Sequence, residues 1–436
     1  RVQEGTRAAA LTDPKRQEYV RAQNEMAEQG LRVIAFGQRA LQTGESGVPE
    51  HDLVLIGLVA LEDPPRPEVP AALAKCREAG IRVVMVTGDH PQTARAIGRE
   101  IGLYGADPAV VTGAALRRLN DTQLQLALDL PEILFARVAA DQKMRIVEAL
   151  KRKGHVVAVT GDGVNDAPAL RSAHIGIAMG VAGTDVAKEA ADVVLLDDNF
   201  ATIVSAIEEG RSVFENLRKF LTYILTSNIP ELVPYLAFVL FRIPLPLTVV
   251  QILAVDLGTD ILPALALGAE RPDAEAMRRP PRPRDEPLLT RALLIRAYLF
   301  LGPLEAAAAM SAFFAVLFGG GWSYGVPLAG DDPLYLRATT ACLSAIVVMQ
   351  VVNVFLCRDP RRSVFTRRIA GNRLILAGIA LELALLGAIV YTPVGQALFG
   401  TAPLGGDTWI MLLPLAAAMF VLEELRKLIV RRATRS

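Results

Sequence analysis

Two hydrophobic patterns divide this chain. Up to about residue 210 the apolar positions form short runs and helical stripes, whereas from 220 to 422 they merge into stretches about one bilayer thick. The first part predicts a helix over Pro14–Gln29 and a strand over Arg32–Phe36, then strands alternating with helices. The strands are Leu53–Leu61, Ile81–Val86 and His155–Thr160; the helices are Glu68–Ala79, Pro91–Ile101 and Gln142–Lys153, each followed by a glycine. Runs such as Arg-Val-Val-Met-Val and Val-Val-Ala-Val are β-branched and lead into Gly-Asp turns, as strands of a parallel sheet covered on both faces do. The expectation is a doubly wound α/β domain. After Asn199 an amphipathic helix runs into an apolar stretch over Phe220–Phe241. Five more spans are expected near Leu245–Gly268, Ala297–Phe318, Ala338–Cys357, Leu374–Thr392 and Thr408–Leu422, the last one short.

Loop charges orient the spans. Arg and Lys crowd 271–291, 358–373 and the tail after Leu425, while the opposite loops carry Arg242, Arg337, Asp331, Asp332 and Asp407. The positive-inside rule puts the basic loops, both ends and the α/β domain in the cytoplasm. Lysine plus arginine and aspartate plus glutamate both number 46, so no net charge points to nucleic acid. The three separated cysteines make neither a disulfide framework nor a metal motif. The chain opens on Arg1 within what reads as a domain, and a fragment is expected.

Four clusters fall at strand ends, where open α/β sheets build their sites: Asp63-Pro64-Pro65-Arg66, Thr87-Gly88-Asp89, Lys143, and Thr160-Gly161-Asp162-Gly163-Val164-Asn165-Asp166. Phosphoryl transfer needs a hydroxyl or amide on the phosphoryl oxygens, a cation to neutralise them and carboxylates for Mg²⁺. Thr87, Lys143, and Asp162 with Asp166 supply these in turn. Asp166 stands where a dinucleotide fingerprint needs its third glycine, which excludes that motif.

Inside the apolar stretches lie Glu231, Asp256, Asp260 and Glu382, with Glu305 a further candidate. Four such groups facing lipid would cost on the order of 10 kcal/mol, so they are expected to face one another around a polar cavity. Asn228 and Glu231 are spaced i, i+3, and Asp256, Thr259 and Asp260 i, i+3, i+4, so each set should share a helix face. Pro230, Pro234, Gly258 and Pro263 loosen these helices and free carbonyls. Ligands that are all oxygen suit Na⁺, K⁺, Ca²⁺ or H⁺ better than copper or zinc.

The four clusters resemble those of the haloacid-dehalogenase-like phosphorylation domain of P-type cation-transporting ATPases, and the string over Thr160–Leu170 is among that family's most specific. The resemblance implies a Rossmann-like α/β domain plus an all-α membrane domain of six helices, the family's fifth to tenth. It implies that Thr87 and Lys143 contact the phosphoryl group, Asp162 binds Mg²⁺, and Asn165 and Asp166 orient phosphate and loop, with Asp166 a second Mg²⁺ candidate. Asp63, Arg66, Thr87, Gly88, Asp89 and Arg137 would border the nucleotide phosphates of ATP, and Arg32 would reach ATP from the nucleotide-binding domain. Thr43-Gly44-Glu45-Ser46 spells the family's dephosphorylation motif in the wrong surroundings and is read as coincidence. The strings Leu225–Glu231, with Thr226, Ser227 and Asn228, and Asp256–Asp260 resemble the fifth and sixth helices of the type II branch, sodium/potassium pumps first. Tyr223, Thr226, Gln350 and Glu382 fall at positions of a third sodium site, where Asn353 replaces the aspartate of animal pumps.

The expected domains are 1–50, the end of a nucleotide-binding domain; 51–199, the phosphorylation domain; and 200–436, stalk and membrane helices. The resemblance implies a multi-pass plasma-membrane pump that couples ATP hydrolysis, through an aspartyl phosphate, to movement of Na⁺ or K⁺, with Ca²⁺ or H⁺ the alternative. The family's nucleophile lies in Asp-Lys-Thr-Gly-Thr, which does not occur here, so partners include an N-terminal half and the fragment alone is expected to be inactive. Rival readings are a truncated non-catalytic membrane subunit and a free-standing phosphatase; the second lacks an Asp-x-Asp strand and leaves six spans unexplained.

Overall fold

The computed structural model describes residues 1–40, 51–61, 64–105, 107–273, 275–366 and 371–433. It separates into two compact units, Arg1–Ile207 with Ala274–Arg284, and Glu208–Asp273 with Asp285–Ser436.

Among the described residues the first unit contains three sheets. β1 (Val2–Glu4), β2 (Arg7–Ala9), β3 (Arg32–Gln38) and β4 (Val54–Leu61) form one in the order β2-β1-β4-β3. β4 was expected to open the parallel α/β array. Instead it runs antiparallel to β3 from Arg32↔Leu61 to Gln38↔Val54, because both strands are long enough to pair along their whole length. β5 (Met85–Val86), β6 (Ala109–Thr112) and β7 (Ile133–Ala136) form a parallel sheet ordered β5-β7-β6. β8 (Ala158–Gly161), β9 (Ile175–Met179) and β10 (Val193–Leu195) form another, ordered β10-β9-β8.

Among the described residues β5 and β8 are therefore both edge strands. A strand expected over Ile81–Val86 shrinks to two residues, since β7 alone gives it a ladder. The helix Ala140–Arg152 ties the two parallel sheets together. Its Ile146 and Ala149 pack with Ile133 and Phe135, its Val147 with Val157 and Ala169, and Leu150 touches both groups. Burial of a side chain such as Phe135 or Ile146 contributes about 1.5–3 kcal/mol.

Among the described residues the second unit holds six helices long and apolar enough to cross a membrane: Phe200–Leu240, whose first residues belong to the first unit, Val249–Gly268, Arg291–Gly319, Pro333–Cys357, Arg373–Tyr391 and Gly406–Ala433. The amphipathic helix and the first apolar stretch form one helix of 41 residues, with Pro230 and Pro234 inside it. The sixth span extends past Leu422 because ion pairs satisfy its buried Glu423 and Lys427. The second and third spans each contain a π-helical segment, Val255–Thr259 and Ile295–Leu301. Such segments break the regular ladder and favour functional sites. The third span meets the first where Gly302 stands: a Cβ there would lie 2.6 Å from Ile229 Cγ1.

Candidate functional site

The first unit gathers two loop clusters at strand ends. Thr87 directly follows β5, and its N–H donates to the Phe135 carbonyl of β7. Its hydroxyl donates to Asp89 Oδ2 at 2.9 Å and accepts the Asp89 N–H at 3.0 Å, closing a tight turn. The Thr87 carbonyl accepts the Val138 N–H at 3.1 Å, and the Asp89 carbonyl accepts that of Arg137 at 3.0 Å. Arg137 turns the chain with φ of 52°, a left-handed conformation that L residues adopt rarely. This loop leads into the helix that carries Lys143. Thr87, Asp89, Arg137 and Lys143 thus depend on one hydrogen-bonded junction. His90 caps the next helix by accepting the Gln92 N–H on Nδ1, and partial burial, then Arg137, hold its pKa below the usual value.

The second cluster follows β8. Lys143 Nζ donates to Asp166 Oδ1 at 2.5 Å, and Asp166 Oδ2 accepts the N–H groups of Asp162 and Gly163 at 3.2 and 3.1 Å. Asp166 therefore fixes the loop, and both its oxygens are occupied. A Cβ at Gly161 would meet Asp166 Cβ at 2.4 Å, so only glycine admits this fold-back. Asp162 is exposed, and no described residue donates to its carboxylate, which fits a Mg²⁺ ligand. Asn165 is exposed on the same loop.

Sequence reasoning missed the clamp behind that loop. Asp198 accepts N–H groups from Gly180, Val181 and Ala182 at 2.6, 3.0 and 2.7 Å. The same segment then reaches Asp162, whose carbonyl accepts the Thr184 N–H at 2.8 Å. These backbone donors hold the Asp198 carboxyl below its ordinary pKa of 3.8. Arg66 donates to the neighbouring Asp197 carbonyl at 3.4 Å. Arg32 is exposed on β3 and pairs with Leu61. Asp63 and the Thr43–Ser46 string lie outside the described residues.

In the second unit Tyr223, Thr226, Ser227, Thr259, Asp260, Gln350 and Glu382 are all buried. The Tyr223 hydroxyl donates to Asp260 Oδ1 at 3.3 Å. Thr226 and Thr259 donate to the carbonyls of Thr222 and Val255 four residues earlier, so only their oxygen lone pairs remain for a cation. Ser227 Oγ, Glu231 Oε1, both oxygens of Glu305 and Glu382, both amide atoms of Gln350 and Asn353 Nδ2 are buried without a hydrogen-bond partner. Buried polar atoms are rarely left so, and a concentration of them marks a place for a ligand.

The expectation that all the carboxylates turn inward holds only in part. Asn228 and Asp256 are exposed and Glu231 is half-buried, with Asp256 in electrostatic reach of Glu231. Asp256 and Asp260 flank most of the π-helical turn, across which the regular i, i+4 rule does not hold. Among the described residues no three His, Cys, Asp or Glu side chains converge as a metal cluster. A cation here would take hydroxyl, amide and backbone oxygens as well.

Two buried ionic groups near span ends also escaped sequence reasoning. Glu270 accepts from Lys219 at 2.7 Å and Arg358 at 2.5 Å, and Glu423 accepts from Arg296 at 2.7 Å and Arg426 at 2.6 Å. Each joins separate spans. Charged residues at apolar boundaries read as solvated flanks, and only packing reveals their pairing.

Comparison with known proteins matches residues 244–429 to the family model described as cation transporting ATPase, C-terminus. Residues 4–174 and 143–207 match models of haloacid dehalogenase-like hydrolases. The chain is 38% identical, over 97% of its length, to 47% of the sodium/potassium-transporting ATPase subunit alpha-2 of Gallus gallus. The alpha subunit of Drosophila melanogaster is 39% identical over 97% of the chain and 46% of its own length. For subunit alpha-4 of Homo sapiens the figures are 38%, 97% and 47%. The chain spans about half the length of the curated relatives it matches.

Proposed function

This chain belongs to the P-type cation-transporting ATPase family, and from that premise we propose that the whole protein couples ATP hydrolysis to Na⁺ or K⁺ transport through an aspartyl phosphate. One observation carries the reading. A phosphate-type loop cluster and a set of buried, unpartnered membrane oxygens occur on one polypeptide, and the helix Phe200–Leu240 includes residues of both units.

Thr87 and Lys143 hold the phosphoryl oxygens, the hydroxyl by donating and the ammonium by neutralising charge. Asp162 holds Mg²⁺, which supplies charge neutralisation at the transferring group when bound. Asn165 and Asp166 orient the loop, while Arg32, Asp63, Arg66, Gly88, Asp89 and Arg137 border the nucleotide. Thr87 and Asp162 directly follow β5 and β8, each an edge strand of its parallel sheet among the described residues. A strand carrying the acceptor carboxylate, laid along either edge, would deliver it to that end. In the membrane Ser227, Asn228, Glu231, Asp256, Thr259 and Asp260 bind the cation with Tyr223, Thr226, Gln350 and Glu382. The first and last residues and the sheet unit face the cytoplasm, and the membrane is the plasma membrane.

The deciding experiment is phosphorylation of the full-length protein by ATP with single-ion titration. Na⁺ should raise, and K⁺ collapse, a hydroxylamine-labile phosphoenzyme that the Asp162→Asn variant fails to form normally. A response to Ca²⁺ alone, or to pH alone, would replace the ion assignment with the calcium or proton reading. The 436 residues by themselves should give no acyl phosphate, since they contain no Asp-Lys-Thr-Gly-Thr string.

A further inference from the structure

At the ends of the membrane helices away from the basic loops, the third, fourth and sixth spans border a cavity of about 210 Å³. Gly319 and Gly320 of the third span, Arg337 of the fourth, and Asp407 and Thr408 of the sixth line it. The two glycines shape the space differently. A Cβ at Gly320 would collide with the Leu334 side chain, so the third and fourth spans close together there. A Cβ at Gly319 would meet nothing within 4 Å. One water takes about 30 Å³ of the liquid, so the cavity has room for roughly seven, or for a polar group of about that many heavy atoms.

Arg337 and Asp407 are both exposed and line this one cavity, yet among the described residues neither makes an ion pair or a side-chain hydrogen bond. Elsewhere in the membrane unit neighbouring opposite charges are joined: Glu270 holds Lys219 and Arg358, and Glu423 holds Arg296 and Arg426. Here the guanidinium and the carboxylate stand on separate helices and stay apart. A guest carrying both signs would satisfy both. Ala315 and Met411, each about one turn further into its span than Gly319 and Asp407, continue the lining as apolar surface together with Val316.

We propose that this cavity binds the headgroup of a zwitterionic phospholipid, phosphatidylethanolamine, with its phosphate on Arg337 and its ammonium on Asp407. A guanidinium takes two phosphate oxygens side by side, and a carboxylate accepts hydrogen bonds from a primary ammonium. The acyl chains leave past Val316 and Met411 toward the bilayer interior, in the leaflet away from the basic loops. Choline has no N–H to offer Asp407, and an anionic headgroup would leave that carboxylate without a cation. Both should bind less well. The cation path plays no part in this inference.

The test is thermal unfolding of the delipidated full-length protein in a nonionic detergent, titrated with phosphatidylethanolamine, phosphatidylcholine or phosphatidylglycerol. Phosphatidylethanolamine should raise the midpoint saturably, at lower concentration than the other two. Arg337→Gln and Asp407→Asn should each raise its half-saturating concentration about tenfold. Gly319→Leu puts a side chain into open space, so it should fold like the parent and lose the response, which keeps the site testable if a charge variant does not fold. Equal responses to all three lipids, or equal responses in the parent and Gly319→Leu, would overturn the site. So would soluble phosphoethanolamine matching the lipid. A second polypeptide that copurifies with the parent and is lost from Gly319→Leu would give the cavity to a protein helix and overturn the lipid reading.

Discussion

Lys143 donates to Asp166 at 2.5 Å, so the ammonium expected to neutralise a phosphoryl group is held by the carboxylate that also shapes the Asp162–Gly163 loop. Charge supply and loop geometry are one interaction here. A phosphoryl oxygen arriving at Lys143 must share it with Asp166.

Removing either partner should therefore have distinct effects. Asp166→Ala strands two N–H groups and a lysine, and should lower the stability of the first unit by on the order of 1–3 kcal/mol. Lys143→Ala leaves the backbone bonds in place and should unfold closer to the parent midpoint while losing phosphoenzyme formation. Calorimetry beside an ATP phosphorylation assay separates the two. Equal destabilisation by both variants would contradict this division.

Acid should loosen the Asp198 clamp. Its folded-state pKa lies below the ordinary 3.8, so the unfolded chain binds the proton first as pH falls. The stabilisation is complete above that ordinary value and disappears as pH drops through the folded one. Hydrogen exchange at Gly180, Val181 and Ala182 should quicken in that acid window. Asp198→Asn should exchange faster already at neutral pH and lose most of the acid dependence at those amides.

Tyr223→Phe removes the hydroxyl that donates to Asp260 and leaves the ring's packing intact. The loss of one such bond is worth about 1 kcal/mol, or about fivefold in affinity. In the full-length protein the Na⁺ or K⁺ concentration for half-maximal ATPase should shift by about that factor, with maximal rate less affected. An unchanged ion titration would separate this pair from the cation path.

Gly302→Ala should press a methyl group into Ile229, two residues before Glu231. Overpacking of this kind costs about 1–3 kcal/mol. The thermal midpoint should fall, and Gly302→Leu should lower it further. Tolerance of leucine would mean that the first and third spans do not meet as closely as described.

Much of the architecture was readable along the chain. Apolar runs of bilayer length located all six spans, because lipid admits little else at that length, and Gly-Asp turns after β-branched runs located Thr87 and Asp162. The Lys143 cluster came from chemistry that phosphate demands of any protein. Partnership was not readable. That β4 joins β3, that Asp198 grips the loop reaching Asp162, and that Glu270 and Glu423 bind cations from other spans depend on residues distant along the chain. Nor could spacing tell that Asp260 turns inward while Asp256 stays exposed, since a π-helical turn resets the angle between them. Local pattern fixes which segments must be buried and which groups could do chemistry; packing decides which of those groups meet, because burial leaves each polar atom either matched by a distant partner or waiting for a ligand.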